Sequence, residues 1–322
     1  MSNAQTFTVR VARKVIEAED IATFELVDVN GGTLPAFSAG AHVDVHAPGG
    51  LTRQYSLCND SAETHRYQIA VLNDRASRGG SRAMHERVKE GSLLEISPPK
   101  NHFPLAHGAT KSLLMAGGIG VTPILCMAER LAVVGSDFEM HYSTRSPART
   151  AFYDRIQGSD FASRVHFHHD DGDTTQALNI NELLRAPQDN CHLYVCGPKG
   201  FMDAVLGAAR ANAWPESQLH YEFFSADVTA SESDLGFDIK LASSGRMIKV
   251  AKDQTVTQAL SAAGVEVQTS CEQGVCGTCL TRILEGVPDH KDMYLTPEEQ
   301  AANDQFTPCC SRSKTAVLVL DL

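Results

Sequence analysis

No run of apolar residues in this 322-residue chain approaches the roughly 18 needed to cross a bilayer, so a membrane-embedded protein is not expected. The opening residues, MSNAQTFTVRVARK, lack the apolar stretch of a secretory signal, and the expectation is a cytoplasmic protein. Basic residues are outnumbered: 28 Lys and Arg stand against 39 Asp and Glu, a formal net charge of −11. A general nucleic-acid binder needs the opposite balance, whereas an acidic surface suits docking onto a partner with a local basic patch. Internal repeats and low-complexity tracts are also missing. No general acid, base or nucleophile stands out, so any chemistry has to come from bound cofactors.

Cysteine is the exception to this scarcity. Nine are present, an odd number in a chain with no secretion signal, so their spacing is read for metals before disulfides. Cys58, Cys126, Cys191 and Cys196 are scattered and read by default as buried small hydrophobes. Cys271-Glu-Gln-Gly-Val-Cys276-Gly-Thr-Cys279, with Cys309 thirty residues later, has the C-x4-C-x2-C…C spacing of a plant-type [2Fe–2S] ligand loop. Three thiolates from one tight loop require the backbone to wrap the metal, and Gly274 and Gly277 permit that. A structural zinc site is the competing reading, but zinc sites usually show two CxxC-like pairs. Chemistry alone leaves Cys309 and its neighbour Cys310 both open as the fourth ligand.

The chain reads as three domains. Up to about residue 106, short β-segments (7–11, 22–26, 42–46, 53–57, 67–71 and 93–96) are punctuated by Gly, Pro, Asn and Ser, which predicts a barrel or sandwich with one helix at 81–88. From 107 to 226 strands alternate with helices, which predicts βαβ units and a parallel sheet. The polar, acidic stretch near 227–236 reads as a linker. Residues 237–322 then carry a hairpin, a short helix, the cysteine loop and a closing strand.

Two strand-to-helix turns fall in the middle domain. Ala116-Gly117-Gly118-Ile119-Gly120-Val121-Thr122-Pro123 follows a buried strand, with Thr122 read as helix cap and Pro123 as first helical residue. Such a turn lets backbone approach a pyrophosphate, although alone it is equally a tight connection. Tyr194-Val195-Cys196-Gly197-Pro198-Lys199-Gly200 repeats the arrangement at what should be the same sheet edge. In the first domain Arg53-Gln54-Tyr55-Ser56-Leu57 offers a cation for a phosphate and an aromatic for a planar ring. Arg78-Gly79-Gly80-Ser81, just before the helix, is a candidate phosphate cradle or a plain cap. His166, His168 and His169 beside Asp170, Asp171 and Asp173 look like a metal cluster but are read as a solvated loop.

Across its whole length the sequence resembles the phthalate dioxygenase reductase family, which includes vanillate demethylase reductases. The resemblance implies an antiparallel β-barrel domain binding FMN (1–106), an NAD-binding α/β domain (107–226) and a β-grasp [2Fe–2S] ferredoxin domain (237–322). It implies that Arg53, Tyr55, Ser56 and Leu57 form the flavin motif, and that Arg78, Gly79, Gly80 and Ser81 hold the flavin phosphate. Gly117, Gly118, Gly120 and Thr122 would face the pyrophosphate, and Cys196 and Gly197 the nicotinamide. Phe224 would lie near the flavin ring, while core packing is the competing role for Phe223. The family's Cys-x-Ser-Arg segment matches Cys309-Cys310-Ser311-Arg312 and makes Cys309 the last ligand, beside Cys271, Cys276 and Cys279. FMN is favoured over FAD. Arg145 and Arg149 are available for a 2′-phosphate, but the family favours NADH. Electrons would run from NADH to flavin to cluster to a partner oxygenase with a Rieske centre. The alternatives are a stand-alone flavin reductase or NADH oxidase, and a non-catalytic redox-sensing module.

Overall fold

A computed structural model describes residues 6–74, 79–224 and 235–322. It divides into two compact units, Met1–Glu222 and Phe223–Leu322. The first begins with β1 (Phe7–Ala18), β2 (Ile21–Asp28), β3 (His42–Ala47), β4 (Leu51–Ser56), β5 (Tyr67–Leu72), α1 (Gly80–Arg87) and β6 (Leu93–Ile96). The six strands form one antiparallel sheet in the order β4-β3-β6-β1-β2-β5. An isolated bridge between Leu57 and Ile69 links the end of β4 to β5. Val9, Phe24, Leu26, Val43, Val45, Ile69 and Met84 of α1 are fully buried in one core. β1 runs well beyond the expected 7–11. Irregularities between Val11 and Arg13 and between Ile16 and Ala18 bend it while it keeps pairing with β2, and such bulges break the apolar alternation that sequence reading relies on.

The same unit continues with β7 (Lys111–Gly117), α2 (Val121–Val133), β8 (Phe138–Thr144), α3 (Tyr153–Gln157), β9 (Val165–His169), α4 (Ile180–Leu183), β10 (Cys191–Cys196), α5 (Lys199–Ala211) and β11 (Leu219–Glu222). These strands are parallel, in the order β11-β10-β7-β8-β9. The chain builds outward from β7 to β9 on one side and then returns to place β10 and β11 on the other. The reversal falls between β7 and β10, so their carboxyl ends frame the crevice where such sheets bind ligands. α2 is buried almost all round, from Val121 through Ala128. That explains its continuous apolar sequence.

In the second unit, β12 (Phe237–Leu241), β13 (Met247–Val250), α6 (Val256–Ala262), β14 (Thr281–Glu285), β15 (Pro288–Asp289), α7 (Pro297–Ala302), β16 (Gln305–Phe306), β17 (Arg312–Ser313) and β18 (Val317–Leu320) follow in order. A mixed sheet, β13-β12-β18-β14-β16, has β12 and β18 parallel at its centre, and β15 pairs with β17. α6 packs Val256, Ala259 and Leu260 onto the apolar face shared by Ile239, Val250, Leu318 and Leu320. α6 and α7 both open with a capping box, Thr255 with Gln258 and Thr296 with Glu299. Each box satisfies two amide donors that a helix start leaves orphaned. Residues 227–234 of the expected linker lie outside the described residues.

Candidate functional site

In the first sheet, Arg53 is buried on β4 and its side chain lies across the start of α1. A methyl group built on Gly80 would come within 2.8 Å of the Arg53 side chain. Gly79 adopts φ 101°, left-handed backbone, and precedes the helix without offering a side-chain cap. Ser81, read as a cap, is instead inside the first turn, and its Oγ is buried with no hydrogen-bond partner among the described residues. Tyr55 packs against the core, and its Oη is likewise buried without a partner among those residues. Buried hydroxyls left this way are costly unless a ligand satisfies them. A guanidinium beside a helix N-terminus, with two hydroxyls waiting, fits a phosphorylated aromatic ligand such as a flavin nucleotide. Arg78 lies outside the described residues.

Ser56 turns to the other face of β4, toward the parallel sheet. Its hydroxyl donates to the carboxyl of Glu222 at the end of β11, and the Nδ1 of His42 stands 4.0 Å from Glu222 Oε1. Glu222 is paired in register with Cys196 on β10. Burial pushes the Glu222 carboxyl up to about 8, against the opposing pull of Ser56. Burial keeps Cys196 a neutral thiol. Glu222 Oε2 has no partner among the described residues. A protonated carboxyl, a hydroxyl and a thiol therefore meet at the switch-point edge. Sequence reading did not single out Glu222 as a site residue, and the signal for it was faint: one acid ending a four-residue strand, LHYE.

The two glycine turns interlock. A Cβ on Gly120 would sit 2.2 Å from the Cys196 carbonyl oxygen, and one on Gly197 would sit 2.9 Å from Gly117 Cα. Gly117 is closed off by Phe201 and Pro198, both at 2.9 Å. These glycines are thus required by the packing of turn on turn. Gly118 differs, with φ +52° and nothing within 4 Å of its would-be Cβ, so it is the open face of the turn. Thr122 is not the cap: α2 starts at Val121, and Thr122 Oγ1 donates back to the Ile119 carbonyl at 3.1 Å. Gly120→Ala is expected to cost roughly 1–3 kcal/mol through overpacking. Gly200→Ala, in open space on α5, is expected to be neutral or stabilising. Urea midpoints of the two variants check this; equal midpoints would mean that the turns do not bear on each other.

In the second unit Cys271 meets Cys276, and Cys309 meets both Cys279 and its neighbour Cys310. The Cys271 thiol donates to Cys276 and holds it well below the usual thiol range, while the Gln273 amide donates to Cys271 Sγ at 3.3 Å. Cys271 with Cys276 and Cys279 with Cys309 match the two irons of a [2Fe–2S] cluster, each needing two thiolates. Gly274 and Gly277 have positive φ, 73° and 68°. At Gly277 a Cβ would also strike the Tyr294 ring at 2.2 Å, so that glycine seats an aromatic as well as turning the loop. Cys310 meets Cys309 and also joins a local network: its Sγ lies 3.2 Å from Thr307 Oγ1 and 3.8 Å from Ser311 Oγ. Behind them the buried Asp292 accepts from Ser311 Oγ and from the amides of Tyr294 and Leu295.

Residues 239–314 match the 2Fe-2S iron-sulfur cluster binding domain. The chain is 55% identical over 307 residues to a vanillate O-demethylase oxidoreductase of Pseudomonas putida, covering 95% of this chain and 96% of that one. It is 41% identical over 314 residues to phthalate dioxygenase reductase of Burkholderia cepacia, covering 97% and 96%. Its fold is similar to a solved phthalate dioxygenase reductase, described as a modular structure for electron transfer from pyridine nucleotides to [2Fe-2S], with TM-score 0.83, 40% identity and 98% of each chain covered. No helix among the described residues is long and apolar enough to cross a membrane. With near-complete coverage at such identity, the chain belongs to the phthalate dioxygenase reductase family of oxidoreductases, alongside the vanillate O-demethylase oxidoreductases.

Proposed function

We propose that this chain is the NADH-dependent reductase component of an aromatic oxygenase system, delivering single electrons to a cytoplasmic terminal oxygenase with a Rieske centre. The observation that carries the reading is the pairing of four thiols, two by two, in the same chain as a switch-point crevice built from two glycine turns. When bound, the flavin accepts two electrons as hydride and releases them singly, and the cluster relays one at a time. A plant-type cluster near about −400 mV lies below Rieske centres at about −150 to +300 mV, so the transfer outward runs downhill.

Each cofactor has a stated set of residues. Cys271, Cys276, Cys279 and Cys309 hold the [2Fe–2S] cluster. Arg53 and the Gly79–Gly80–Ser81 turn hold the phosphate of FMN, Tyr55 offers its buried hydroxyl, and Ser56 and Leu57 complete the motif. Gly118 leaves room for the pyrophosphate of NADH, with Gly117, Gly120 and Thr122 shaping that turn, and Cys196 and Gly197 border the nicotinamide. Phe224, half-buried just after β11, is the candidate aromatic against the flavin. NADH is preferred over NADPH because Arg149 is already paired with Glu19 and Asp20, at 2.5 and 3.3 Å. That leaves only Arg145 of the two candidate arginines beyond β8 for a 2′-phosphate.

Anaerobic NADH titration, with the released flavin identified by mass, tests this reading. The expected result is bleaching of both the flavin and the iron–sulfur absorption, with FMN released. Flavin bleaching alone in fully iron-loaded protein would reduce the chain to a simple flavin reductase. A 1–226 fragment should keep NADH–ferricyanide activity and lose most cytochrome c reduction. Equal cytochrome c rates for fragment and full chain would exclude the two-to-one electron converter.

A further inference from the structure

Glu139 and His141 alternate along β8 and so share one face of the parallel sheet, while His166 on β9 is the direct cross-strand partner of His141. His141 Nε2 lies 3.2 Å from Glu139 Oε1, and His166 Nε2 lies 3.4 Å from that same oxygen. All three ligand atoms fall within 4.8 Å of one another. A tetrahedral ion with bonds of about 2.0–2.1 Å places its ligand atoms about 3.3–3.4 Å apart. Glu139 Oε2 is engaged separately by Lys111 Nζ at 2.9 Å, which leaves Oε1 to face the two imidazoles.

The hydrogen bonds behind these groups determine what His141 presents. His168 Nδ1 lies 2.6 Å from the Gln176 carbonyl, which can only accept, so His168 carries its proton there. His168 Nε2 then accepts from His141 Nδ1–H at 3.0 Å. A neutral His141 consequently turns an unprotonated nitrogen toward a carboxylate oxygen at 3.2 Å. Two lone pairs face each other there, an arrangement that a cation between them resolves. A second proton would also resolve it, but His141 is buried, and burial disfavours the imidazolium. A metal-binding histidine characteristically donates its other ring N–H to an outer partner, as His141 does to His168.

We propose that Glu139, His141 and His166 form a divalent transition-metal site of the zinc class, clamping edge strand β9 to β8. Two imidazoles and one carboxylate suit zinc better than the thiol-seeking iron of the cysteine loop. His166 is exposed and stacks on His141 with ring centres 4.9 Å apart, so it tilts from the stack to bind, and the fourth position opens to solvent. The histidines read as part of a solvated loop thus belong to a bonded strand: His169 Nδ1 also meets Thr144 Oγ1 at 2.9 Å.

The test uses iron-loaded full-length protein equilibrated with Zn2+, dialysed, and counted for zinc and iron together by plasma mass spectrometry. A chromophoric chelator in competition supplies the affinity. The expected result is about one zinc per chain beyond the iron. Affinity should fall roughly tenfold or more in His166→Ala and in Glu139→Gln, with iron content unchanged. Zinc should raise the melting temperature of the parent and not that of His166→Ala, whose exposed position leaves folding intact. No retained zinc in the parent, or equal zinc in parent and His166→Ala, would overturn the site and assign any bound zinc to the cysteines or to adventitious contact.

Discussion

Cys309→Ser is expected to strip the chain of its cluster, lowering bound iron by roughly tenfold or more, whereas Cys310→Ser should retain it. The two cysteines are neighbours and both are buried, so exposure does not distinguish them. Their partners do. Cys309 meets Cys279 and completes the second thiol pair. Cys310 touches Cys309 as well, but it closes a local network with Thr307 and Ser311, which a serine hydroxyl can re-form. Iron content and visible absorption of the two purified variants check this, and the reverse outcome would exchange the ligand assignment. With the cluster gone, Cys309→Ser should still pass electrons from NADH to ferricyanide, because the residues assigned to flavin and nucleotide, Phe224 apart, lie in the other unit.

Glu222→Gln is expected to remove a pH dependence of stability amounting to roughly 3–5 kcal/mol. Burial raises the folded-state carboxyl to about 8, against about 4.3 for an unfolded glutamate. Between those values the folded chain binds more protons than the unfolded one, so this contribution is complete below about pH 4 and is lost as pH rises through 8. Glutamine cannot ionise. The variant should therefore match the parent near pH 4, gain on it as pH rises toward 8, and keep that lead at pH 9. His42, held down to about 4 by burial, works in the opposite sense, but only between about 4 and 6.5. The range from about pH 6.5 to 8 consequently isolates Glu222. Urea denaturation of both proteins at several pH values provides the measurement; parallel curves between about pH 6.5 and 8 would mean that Glu222 is not buried as a neutral acid.

Much of the candidate site was legible because its signals are local. The cysteine spacing encodes a loop wrapped around a cluster, and strand–glycine turn–helix is readable wherever an apolar run ends in Gly. What escaped was set by partners distant in sequence. Glu222 is notable only because Ser56, His42 and Cys196 surround it. Thr122 and Ser81 have the composition of caps, yet each helix starts earlier, at Val121 and Gly80, because a glycine takes the preceding position. The full length of β1 was hidden by its bulges. α7 carried a readable Thr296–Glu299 box but no apolar stripe, and an exposed six-residue helix has none to show.

The contact between Gly120 and the Cys196 carbonyl has a consequence for engineering. The turn after β7 and the turn after β10 are two halves of a single mould, although 76 residues separate Gly120 from Cys196 in the chain. Grafting a 117–123 loop from another reductase to alter coenzyme choice would seat it against a mismatched counterpart. Segment 196–201 has to be exchanged together with it, as one cassette.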